Sequence, residues 1–268
     1  MARVKSLDQI TGSLKNLSFY TRKGSDQIFV RTKGGASKEK IKRDPAFEGL
    51  RKSNKEFGGC STMSKNLRLA FYGLEHVADF NLSAKFNSLM KSIQNTDTEH
   101  PKGERSIVLT RYKNMLDGFQ FNTVHPFNTV LRMPLQWEID RATQSAKVTV
   151  PAFACSFGLN APGNYALFRL RFCLGAVTDM QLNDRKTKYE PVTGEQGYGF
   201  QLGETAWYPT QSSVEAQILE LQLKDPFMPG TGNDTLLLVA VIEFGTLDAF
   251  GNPTAIRKAG AGMILGTK

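Results

Sequence analysis

The stretch that most limits the fold is Leu236–Phe244, LLLVAVIEF, a nearly unbroken apolar run with Glu243 as its one charge. It falls far short of the ~20 apolar residues that a membrane helix needs, so the chain itself must cover it. A short run of this kind reads as a central strand buried on both sides. Tyr165–Leu174 (YALFRLRFCL) supplies a second strand by alternation. Leu167, Arg169, Arg171 and Cys173 fall on one face; Phe168, Leu170, Phe172 and Leu174 fall on the other. Ala146–Val150 and Glu215–Leu223 alternate as well, and Ser106–Thr110 and Val130–Ile139 read as further strands. Turn signals separate them at Asp140–Ser145, Asn160–Asn164, Asn183–Gly197 and Pro226–Asn233, and Ala255–Leu265 is less regular. Strands without alternating helices predict an antiparallel β-sandwich over 105–268.

The first hundred residues read differently. Asp44 and Pro45 open a helix, Phe47, Leu50 and Phe57 follow at helical spacing, and Gly58-Gly59 is expected to end or kink it. Apolar stripes predict a second helix over about Ser61–Ala78 and a third over about Asn81–Ile93. The expected layout is a basic hairpin arm and linker (1–43), a helical region (44–95) and the β-sandwich, a mainly β fold with a helical N-terminal region.

The arm is read from Gly12 to Gly35. Leu14, Leu17, Phe19, Ile28 and Val30 supply an apolar side, and Lys23-Gly24-Ser25-Asp26 the turn. A lone hairpin is marginal in water, so it must lie on its own chain or on a neighbouring copy. Ala36–Arg43 reads as a polar linker. Charge is concentrated here: residues 1–68 hold 16 Lys and Arg against 6 Asp and Glu, whereas the rest of the chain holds 18 against 19. The basic surface is expected at Arg22, Lys23, Arg31, Lys33, Lys40, Lys42 and Arg43, suited to nucleic acid, an anionic surface or a sister subunit.

Catalytic signatures are not found. His76, His100 and His125 form no metal-ligand spacing, and Cys60, Cys155 and Cys173 lie far apart, outside any C-x-x-C pair. The cysteines are expected to be reduced and mostly buried. Gly197/Gly199/Gly203 and Gly260/Gly262/Gly266 each miss the dinucleotide-loop spacing by one residue and read as strand glycines at close approaches. Asp179/Asp184 and Glu190/Glu195 lie in turn regions and read as solvated. No cofactor, metal or enzymatic activity is expected, and neither a membrane span nor a signal peptide, which places the protein in the cytoplasm. Trp207 and Tyr208 are the candidate pair for stacking on a sugar or peptide. Phe19 and Tyr20 beside Arg22 and Lys23 share the aromatic-and-basic mix of single-strand binders.

Met1-Ala2-Arg3, Gly12–Tyr20, Val30–Gly35, Arg43-Asp44-Pro45-Ala46-Phe47 and Asn54–Gly58 together resemble a group of uncharacterised proteins common in Bacteroidota; Ala161–Ala166 resembles a strand start in the same group. The resemblance implies a bacterial origin and a layout of hairpin, helices and β domain, and no activity or cofactor. The leading expectation is a structural protein that self-assembles, with the arm (Leu14, Leu17, Phe19, Tyr20, Ile28, Val30) adding to a neighbouring subunit. The alternatives are nucleic-acid binding through the basic region and a carbohydrate- or peptide-binding sandwich.

Overall fold

The computed structural model describes residues 3–6, 9–22, 25, 27–193, 197–223 and 232–268, with 3–6, 9 and 10 described by backbone alone. The expected turn residues Lys23, Gly24 and Asp26, the Lys23 side chain, Glu195 and most of the Pro226–Asn233 loop lie outside the described residues. The chain is mainly β, with antiparallel pairing throughout the described sheets and a helical N-terminal region. It forms two compact units, 1–51 and 52–268.

In the first unit the expected hairpin is part of a four-stranded sheet. Strands β1 (Arg3–Ser6), β2 (Gln9–Leu14), β3 (Leu17–Thr21) and β4 (Ile28–Thr32) pair in chain order. Lys15, at φ 48, sits in the tight turn from Leu14 to Leu17, where the hairpin geometry demands a left-handed residue. The expected linker holds a short helix, α1 (Lys38–Arg43). It has no apolar stripe to reveal it, but it has the right ends. Ser37 accepts from the Lys40 N–H at 3.2 Å, and Lys40, Lys42 and Arg43 occupy the last turn, where cations favour the carbonyl end. Asp44 then accepts from the Ala46 N–H at 2.9 Å and Pro45 opens a single 3₁₀ turn. Helix α2 (Glu48–Leu69) follows.

Helix α2 continues through Gly58-Gly59, so the helix does not end there, and the first two predicted helices are one. A Cβ on Gly59 would lie 2.6 Å from the Tyr189 ring, so this glycine answers a close approach. The second predicted helix ends early, at Leu69. The third is α3 (Leu82–Asn95), close to its expected span.

The second unit has β5 (Gln136–Asp140), β6 (Ser145–Val150), β7 (Phe153–Ala154), β8 (Leu167–Thr178), β9 (Met180–Leu182), β10 (Tyr189–Pro191), β11 (Tyr198–Glu204), β12 (Tyr208–Pro209), β13 (Ser213–Val214), β14 (Gln217–Gln222), β15 (Asp234–Leu247) and β16 (Pro253–Thr267). The main sheet has the order β11-β8-β15-β16, with β12 also on β8. A smaller sheet has the order β14-β6-β5.

Period-two alternation divides the main sheet between two cores. Phe168, Leu170, Phe172 and Leu174 of β8 join Leu238, Ala240, Ile242 and Phe244 of β15 against Ile139, Val148, Val150 and Leu221 of the smaller sheet. This is the sandwich interior. On the opposite face Cys173, Val177, Val239 and Val241 meet Met63, Leu67, Phe86, Met90 and Ile93 of α2 and α3. The run Leu236–Phe244 is therefore buried on both sides, as read. All three cysteines are free and buried.

Other elements differ from expectation. Ser106–Thr110 gives only a bridge, Ile107 to Met180, before a helical turn at Leu109–Tyr112. Val130–Ile139 is strand only from Gln136, because Phe127–Val130 is a helical turn. Ala255–Leu265 belongs to a full strand, β16, made uneven by a break in register.

Candidate functional site

Pairing fixes the faces of the arm. Leu14 lies opposite Leu17, Phe19 opposite Val30, and Thr21 opposite Ile28. Paired residues share a face, so Leu14, Leu17, Phe19, Ile28 and Val30 form one apolar surface. None of them is buried; Leu14 is 57% exposed and Val30 53%. Tyr20 lies on the other face, paired with Phe29 and stacked on it at 5.8 Å. Arg22 covers the Phe29 ring at 4.4 Å and Arg31 lies over Tyr20 at 5.6 Å, so the arm's own cations occupy these rings. Arg22, Arg31, Lys33, Lys40, Lys42 and Arg43 are exposed. Across the first unit no described side chain is buried.

Trp207 and Tyr208 are separated by the sheet. Tyr208 turns to the sandwich core, its ring 5.9 Å from Phe168, and its hydroxyl accepts from Gln217 Nε2 at 3.0 Å. Trp207 lies on the opposite side, between Gly245 and the Arg169 guanidinium, which sits 4.7 Å from the ring. One ring packs on Phe168 and the other on Gly245 and Arg169, so the two rings do not make one platform.

Two buried carboxylates organise charge on the helical side. Glu243, 1% exposed, accepts from Arg169 Nε at 2.8 Å and Arg171 at 2.9 Å, and meets His76 Nε2 at 2.9 Å. Burial raises its carboxyl, but these three partners outweigh burial and hold it at about 2. Glu56, fully buried, accepts from Arg105, Lys91 and the Gly103 N–H, and is likewise held at about 2 against the effect of burial. Carboxylates so saturated are held ionised and act as anchors. Asp179 differs: burial pushes it up to about 6 even though Thr110 donates to both of its oxygens. The sequence held a signal for the first of these. Glu243 interrupts an apolar run, and Arg169 and Arg171 alternate along the strand that proves to be its neighbour. Glu56 has no such local mark, since Arg105 lies far along the chain.

Among the described residues no group of three or more His, Cys, Asp and Glu side chains is placed to hold a metal ion. No helix of the described residues is long and apolar enough to cross a membrane. Fold and geometry together define a mainly β, antiparallel protein with a helical region after its N-terminal sheet. Comparison with protein families, curated proteins and solved structures gave no match.

Proposed function

We propose that this is a non-enzymatic structural protein that self-assembles, its N-terminal sheet docking on a second copy of the chain. The observation that carries the reading is the apolar face of Leu14, Leu17, Phe19, Ile28 and Val30, in a unit of which no described side chain is buried. A small sheet needs a covered apolar face to be stable. Covering one large apolar side chain stabilises by roughly 1.5–3 kcal/mol. Strand edges in the arm and the body offer main-chain bonds to the same contact. The charge surplus lies in the first quarter of the chain and the remainder is close to neutral, so apolar burial and backbone bonding dominate over charge pairing. A heterologous contact of this kind, repeated, gives a ring or a filament.

The test is light scattering and negative-stain imaging of the purified chain. Regular particles are expected from the full chain, and monomers after deletion of residues 1–35 or after Phe19→Asp with Val30→Asp. A full-length protein that stays monomeric at high concentration overturns the reading. Retention of nucleic acid that falls steeply with salt, without particles, favours the basic surface as the working site.

A further inference from the structure

A cavity of about 270 Å³ opens beside the Glu243 cluster, lined by Arg68, Glu75, His76, Arg257 and Lys258 and by the start of α3. Two of its cations are put there by an irregularity in the main sheet. Glu243 lies opposite Gly260, and Gly245 opposite Ala255. Between those pairs β15 has only Phe244, whereas β16 has Ile256, Arg257, Lys258 and Ala259. The extra residues bulge from the ladder, and Lys258 takes a left-handed conformation at φ 64 that a lysine rarely adopts. Bulges of this kind re-aim side chains.

The lining is short of negative charge. Glu75 is the one carboxylate among the lining residues to face Arg68, Arg257 and Lys258, and His76 is turned to Glu243 at 2.9 Å and to the Gly73 carbonyl at 3.1 Å. Arg68 reaches Glu75 through Nη1 at 3.3 Å, yet its Nε is buried without a hydrogen-bond partner among the described residues. Helix α3 adds neutral donors: its first turn holds no acidic residue, and the Asn81 side chain makes no capping bond. The opening N–H groups of such a helix favour an anion.

We propose that this cavity binds a phosphate group, free or at the end of a small ester, through Arg68, Arg257, Lys258 and the N–H groups that open α3. The three cations against one carboxylate leave a surplus of two charges, which matches a phosphate monoester, at about −1.5 to −2 near neutral pH, better than it matches a carboxylate. The site stands independently of the assembly reading.

The experiment is calorimetric titration and thermal melting of the full chain with inorganic phosphate, adenosine monophosphate and acetate, against chloride at equal ionic strength. Phosphate is expected to raise the melting temperature in a dose-dependent way that chloride and acetate do not reproduce. Adenosine monophosphate binding more tightly than phosphate assigns an esterified ligand, and equal binding assigns the free ion. Arg257→Ser with Lys258→Gly is expected to weaken phosphate binding at least tenfold. Because both side chains are exposed and glycine suits the left-handed position, the unliganded melting temperature of this variant should hold or rise. Arg257→Ser alone, at an exposed position, is the check that leaves the Lys258 backbone untouched. Phosphate acting no differently from chloride, or undiminished binding by both variants, overturns the proposal.

Discussion

Glu243 and Asp179 are both buried carboxyl groups, yet pH should act on them with opposite sign. Hydrogen bonds from His76, Arg171 and Arg169 outweigh burial and hold Glu243 at about 2, below the usual 4.5. Its contribution is therefore fully present above pH 4.5 and is lost as pH falls through 2. Glu243→Gln should cost about 3 kcal/mol in urea unfolding at pH 7, since it leaves Arg169 and Arg171 without their buried partner. The gap to the wild type should narrow between pH 4.5 and 2.5. Asp179 is raised from 3.8 to about 6, so the fold prefers it protonated. That contribution is fully present below pH 3.8 and is lost as pH rises through 6. Asp179→Asn should accordingly stabilise at pH 8 by about 1–3 kcal/mol and be close to neutral at pH 4. A wild-type advantage at pH 8 would refute that assignment. Neither effect could be assigned from sequence, because a carboxylate's partners come from other strands and loops.

At the scale of elements, local pattern succeeded where a face was half-buried and failed where tertiary contact set the rule. The alternation of Leu167–Leu174 gave β8 its two faces, and those faces became the two cores. Gly58-Gly59 misled, because a glycine pair reads as a helix end when the ring that needs the space is 130 residues away in sequence. The two glycines can be told apart by experiment. A Cβ at Gly58 meets nothing within 4 Å, so Gly58→Ala should stabilise α2 by about 0.5–1 kcal/mol through helix propensity. A Cβ at Gly59 collides with Tyr189, whose hydroxyl donates to the Arg105 carbonyl at 2.8 Å and accepts from Gln94 at 3.2 Å, so the ring is held in place. Gly59→Ala should therefore destabilise by about 1–3 kcal/mol despite the better propensity. Equal effects of the two substitutions in thermal melts would show that Tyr189 yields.

At the scale of the whole molecule the sequence showed that an apolar side exists on the arm, and which residues make it, but not what covers it. Charge asymmetry pointed to the same region for a different reason and could not decide between a sister subunit and nucleic acid. The two units differ in what they bury. The second holds both cores, whereas the described residues of the first bury no side chain. Removing residues 1–35 should therefore leave the melting temperature of dilute protein within about 2 °C of the full chain, since little burial is lost. If copies cover one another's arms, the full chain should melt at a temperature that climbs with protein concentration, because association stabilises by mass action. The truncated chain should show no such climb, and its value should coincide with that of the full chain extrapolated to low concentration. Melting curves recorded over a hundredfold range of concentration check both statements. A full chain whose transition is independent of concentration, or a truncated chain that melts far below it when dilute, would mean that the arm finds its cover within its own molecule.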